Sequence, residues 1–112
     1  MTAIVFLYGT APNNEIAAKI GETLVRERLA ACVNILAPAR SIYEWEEKIE
    51  TATEVPFLVK TTKTRAGAAR DRILALHPFD CPCIAALPIS DEGSSVAFLD
   101  WVTQATTPNM AG

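Results

Sequence analysis

Four short apolar runs of strand type alternate with two segments of helical period, and few folds accommodate the resulting order β-α-β-β-α-β. The first run, Ala3–Tyr8, is continuous, β-branched and aromatic, as suits a central strand covered on both faces; Gly9 and Pro12 are expected to end it. Asn13 or Asn14 then caps a helix with Ile16, Ala17, Ile20 and Leu24 on one side and Glu15, Lys19, Glu22 and Arg26 on the other. Ala31–Leu36 reads as a second strand. Pro38 interrupts its ladder as a bulge or kink, and the strand resumes from Arg40 to Glu50, where Tyr43 and Trp45 alternate with Glu44 and Glu46. A reversal is expected at Thr51–Thr53. The third strand, Val55–Val59, contains Pro56, whose missing N–H predicts an unpaired side or a bulge.

Thr64 is expected to cap a second helix, with Ala66, Ala69, Ile73 and Leu76 inward, that stops at His77-Pro78. Ile84–Ile89 is the fourth strand. Ser94 or Ser95 caps a short last helix facing Phe98, Leu99 and Val102 inward, and the tail from Thr106 is expected to fray. The order predicts an α+β, ferredoxin-like split βαβ fold, an antiparallel sheet with two helices on one face plus a short C-terminal helix. Such a fold leaves the chemistry open.

The 112 residues suit one domain spanning 1–112, since a chain of this size buries roughly two-thirds of the surface it exposes when unfolded. A hydrophobic share of 50% against 21% charged excludes a disordered chain. A mean hydropathy of +0.19 leaves apolar surface for a partner. No apolar run approaches the ~20 residues of a membrane span, and the start lacks the basic region of a signal peptide, so a cytoplasmic location and no membrane partner are expected. The net charge of −3 offers no basic face to a phosphate backbone, which argues against nucleic acid. Three cysteines, an odd number, are expected as reduced thiols.

Candidate chemistry concentrates in His77-Pro-Phe-Asp-Cys-Pro-Cys83. Imidazole and thiolate suit copper or zinc, so His77, Cys81 and Cys83 form a candidate metal set; two buried thiols beside a helix-terminating histidine would give the same pattern. Tyr43 and Trp45 fit either a ligand-stacking wall or a subunit contact, and Lys60 fits either an anion holder or a lysine whose stem packs on the sheet. The acidic residues Glu44, Glu46, Glu47, Glu50 and Glu54 attract cations or simply solvate an edge. Cys32 with His77 as base is the one nucleophilic pair to consider, but Cys32 lies between Ala31 and Val33 in an apolar strand, where a thiol packs like a small hydrophobe.

Five blocks carry a resemblance: Glu27-Arg-Leu-Ala-Ala-Cys-Val-Asn-Ile35, Ser41-Ile-Tyr-Glu-Trp-Glu46, Val59-Lys-Thr-Thr62, His77-Pro-Phe79 and Ala86-Leu-Pro88. In order and spacing the chain resembles the CutA-type divalent-cation tolerance family, and Phe98-Leu-Asp-Trp-Val102 looks like that family's C-terminal helix. The resemblance implies a non-enzymatic homotrimer, PII-like in architecture, that binds copper or other divalent metals and serves metal tolerance. It also implies a ligand site in a cleft between subunits, at Tyr43, Trp45, Lys60 and His77. A PII-like sensor of a small metabolite and a trimeric scaffold for a partner protein are the alternatives. The chain departs from the family at Glu47 for glycine, Phe79 for tyrosine, Asp80 for glutamate and Cys83 for glutamate.

Overall fold

The computed structural model describes residues 3–108; the very start of the chain and residues 109–112 of the tail lie outside it. Strand β1 (Ile4–Ala11) leads into helix α1 (Asn14–Arg26), then β2 (Cys32–Ile35), β3 (Ala39–Trp45), β4 (Lys48–Thr62), α2 (Lys63–Leu76), β5 (Ile84–Pro88) and α3 (Val96–Ala105). The sheet order is β2-β4-β1-β5, with β3 also paired to β4, and the pairings are all antiparallel. This is the expected ferredoxin-like arrangement. Its second strand is broken at Leu36–Pro38 into β2 and β3, which both pair with β4, as Pro38 predicts.

Three boundaries differ from expectation. β1 runs through Gly9 because a side chain there has no room: a Cβ would lie 2.6 Å from Cζ of the buried Phe57, so glycine lets β1 pass over that ring. The reversal expected at Thr51–Thr53 lies instead at Glu46 and Glu47, whose φ values of 51° and 66° make a two-residue hairpin turn between Trp45 and Lys48. Thr51 and Thr53 are β-branched and continue the strand. Helix α2 is capped by Thr62, not Thr64; its hydroxyl accepts the Arg65 N–H at 3.3 Å. Asn13 and Ser95 cap α1 and α3 in the same way.

Alternation along the strands produces two packed faces. Leu7, Phe57 and Val59 meet Ala17, Ile20 and Leu24 of α1 and Ala69 and Ile73 of α2. On the opposite face Ile4 packs with Ala31 and with Leu99 and Val102 of α3. The Pro56 carbonyl accepts from Leu36 N–H at 2.9 Å, so its imino nitrogen faces the same side, beside the break between β2 and β3. The missing donor therefore falls where the ladder is already open.

Polar contacts lock the helix ends. After α1, Arg28 adopts φ 60°, while Leu29 N–H bonds the Leu24 carbonyl and Arg28 N–H that of Val25, an αL helix stop usually given to glycine. Arginine is used here because its guanidinium reaches the carbonyls of Gln104 (2.9 Å) and Thr107 (2.6 Å) at the end of α3. The tail is accordingly held further than expected: Thr106 is buried and its hydroxyl donates to the Val102 carbonyl at 2.8 Å. Thr61, fully buried, donates to the Leu29 carbonyl at 2.7 Å.

Replacing Thr61 by valine keeps the shape and strands that carbonyl, so Thr61→Val should lower stability in urea unfolding by about 1–3 kcal/mol. Glu27 and Arg72 form a paired hydrogen bond at 2.9 and 3.0 Å that ties α1 to α2. The Arg72 hydrogen bond, against a smaller opposing effect of burial, holds the Glu27 carboxyl below its usual value. Its contribution is therefore present above the ordinary carboxylate range and lost as pH falls through the lowered folded value. Glu27→Gln should remove that part of the acid dependence in urea midpoints taken across pH; an identical acid limb would contradict the pairing.

Candidate functional site

The loop after α2 is positioned by His77. Its backbone N–H bonds the Ile73 carbonyl at 2.9 Å and closes the helix, and Pro78 prevents continuation. The ring is buried, with Nε2 2.8 Å from the Thr10 carbonyl and Nδ1 3.2 Å from Phe79 N–H. Because Nδ1 accepts and a carbonyl can only accept, Nε2 carries the proton. β5 begins with Ile84 opposite Gly9, so Thr10 lies beyond the last β1–β5 pair, and the imidazole supplies its carbonyl with a donor. Phe79 stacks obliquely on the ring, centroids 4.9 Å apart.

This anchoring sets the loop against one face of the β3–β4 hairpin and leaves a groove of about 730 Å³ between them. Tyr43 and Trp45 form one wall with Ser41, and Phe79, Asp80, Cys81 and Cys83 the other. Thr10 and Glu54 complete the lining, and Ser41 Oγ donates to Glu54 Oε2 at 2.9 Å across the hairpin. The lining contains two carboxylates, two thiols and three aromatic rings, and no lysine, arginine or histidine. Its volume falls in the ~300–1,000 Å³ range of small-ligand sites, and its polarity favours cations over anions.

The sequence-derived residues are only partly brought together. Tyr43, Trp45, Cys81 and Cys83 share the groove. Lys60 lies six residues beyond Glu54 on the same strand, about 20 Å along it by strand rise. Its ammonium sits 5.7 Å from the Phe6 ring centroid and 5.6 Å from that of Phe98, a cation–π clamp under α3. His77 supports the groove from behind, with both ring nitrogens engaged. Among the described residues, no three of His, Cys, Asp or Glu converge closely enough to hold a metal ion, so one chain does not present a closed divalent site. Cys32 is not brought to His77; the Asn34 amide donates weakly to its sulfur at 3.9 Å.

Sequence reasoning counted Glu54 only among the acidic residues of the hairpin that attract cations, and did not include Ser41 or Thr10 in a site. Ser41 shares the two-residue alternation of Tyr43 and Trp45 and was legible by that signal. Glu54 joins them only through the register Ala39↔Glu54, which the displaced reversal concealed.

The CutA1 divalent ion tolerance protein family matches residues 5–105. A divalent-cation tolerance protein CutA from Archaeoglobus fulgidus is 44% identical over 99 residues, covering 88% of this chain and 94% of that protein. One from Thermus thermophilus is 42% identical over 97 residues, covering 87% and 92%. The crystal structure of the divalent ion tolerance protein CutA1 from Ehrlichia chaffeensis superposes with a TM-score of 0.89 at 34% identity, covering 96% of this chain and 98% of that one.

If His77 is a strut, His77→Ala should cost about 1–3 kcal/mol in urea unfolding, because the Thr10 carbonyl and the Phe79 N–H both lose their partner. Unchanged stability would contradict this role.

Proposed function

The chain belongs to the CutA1 divalent ion tolerance family, and from that premise we propose that it serves divalent-cation tolerance as a homotrimer that binds copper or another divalent ion, without catalysing a reaction. The family match over residues 5–105 carries this reading. Ligand chemistry supports it: the part of the groove that one chain supplies is lined by carboxylates and thiols and has no basic residue of its own, which favours a cation there. A cytoplasmic location is part of the same proposal, and the three free cysteines are compatible with a reducing compartment.

Assembly is supported by the arm formed by β3 and the outer half of β4. Ile42 and Ile49, paired through Glu44 and Thr51 on one face, are 65% and 71% exposed, and Trp45 on the other is 62% exposed. A two-stranded ribbon is marginal in water and needs cover. Three copies around a closed axis would lay each arm on a neighbour and leave no arm uncovered. In that assembly the Tyr43–Trp45 groove becomes a cleft between subunits. Lys60 would enter such a cleft only from a neighbour, and a divalent ion would draw its further ligands from the neighbour as well.

Sedimentation equilibrium at micromolar concentration should give three times the chain mass of 12.1 kDa. Trp45→Ala should weaken the assembly by about 2 kcal/mol or more, the cost of an interface anchor. Calorimetric titration of the trimer with Cu(II) and Zn(II) tests the ligand; a monomer, or a trimer taking up neither ion, would contradict the reading.

A further inference from the structure

We propose that Cys81 and Cys83 together form a two-thiolate site for a soft monovalent d10 cation, Cu(I), within a single chain. The proposal rests on the reading of the groove as a cation-binding region, and it assigns to that groove an ion of different charge and coordination from the divalent ions discussed above.

Both cysteines are free, exposed and on the same wall of the groove. Their separation of two residues is compatible with simultaneous binding, and the loop between them is restrained. Pro82 fixes its own φ near −65° and disfavours helical backbone at Cys81. The Cys83 backbone is packed against β1, where its carbonyl oxygen would stand 3.0 Å from a Cβ built on Gly9. From the other end, His77 anchors Pro78 and Phe79 through Thr10. The thiols are thus presented on a loop tied down on both sides, which lowers the ordering cost of chelation.

The donor count selects the ion. Zinc requires four ligands, and no three candidate ligands converge among the described residues. His77, the nitrogen donor nearest in sequence, would have to surrender the Phe79 N–H or the Thr10 carbonyl to bind. Thiolate sulfur is the preferred ligand of Cu(I), and a d10 ion accepts two such ligands in a line with no third. On binding, each thiol releases its proton to solvent, two Cu–S bonds form, and the product carries a net charge of −1; the oxidation states of copper and sulfur are unchanged. In a single chain the groove is open to water and both cysteines are exposed, so ion and protons have a path.

The test is anaerobic titration of the reduced protein with Cu(I) held by a chromophoric chelator, read by chelator absorbance and by ultraviolet thiolate-to-copper charge transfer. One Cu(I) per chain is expected. Cys81→Ser and Cys83→Ser should each lose more than the roughly 10–100-fold typical of removing a partner that only supports a ligand. Cys32→Ser, on β2 at the opposite edge of the sheet from β5, should bind as wild type, and melting curves of all three variants establish that they are folded. Undiminished binding in the Cys81 and Cys83 variants, or loss in the Cys32 variant, would overturn the site. That result would leave the trimer and its Cu(II) and Zn(II) binding standing, because those are read by mass and by divalent-ion titration of the wild type.

Discussion

Strand β4 pairs with β1 and β2 through its inner half and with β3 through its outer half. Over Val55–Thr62 its side chains fill the core: Val55, Phe57, Val59 and Thr61 are buried, and Phe57 requires the glycine opposite it. Over Lys48–Glu54 the same strand leaves the body with only β3 beside it. One continuous strand of 15 residues thus couples a rigid sheet to a projecting arm. The projection shows in the dimensions, 49 Å in the longest direction with a radius of gyration of 15.1 Å, against about 13 Å for a compact chain of this length.

The groove follows from that coupling. Its hairpin wall is held at a fixed angle by β4, and its loop wall is held by a histidine that replaces the missing continuation of β5. The histidine thereby has structural work in a single chain whatever the ligand. Phe79 keeps ring contact with it, and Cys81 and Cys83 place sulfur on the loop wall. These thiols give the groove donors suited to soft cations.

Most of the fold was legible in the residues because apolar period and caps act locally: Asn13, Ser95 and the period of α1 located their elements, and Pro38 marked the break between β2 and β3. The hairpin turn was not legible, since Glu46 and Glu47 take positive φ without the asparagine or glycine that announces it. The two-residue alternation put Tyr43 and Trp45 on one face, and the cysteine spacing put two thiols in one groove. The separation of Lys60 from them and the engagement of both His77 nitrogens depend on strand register and on the end of β5, which no local pattern encodes.

We propose that the arm is ordered by contact with other copies of the chain. Amide hydrogen exchange reports this residue by residue. In the assembled protein, amides of Ile49–Thr53 should exchange on the timescale of those in β1, because both are covered. Exchange of the arm as fast as an isolated two-stranded ribbon, with β1 still protected, would contradict the claim.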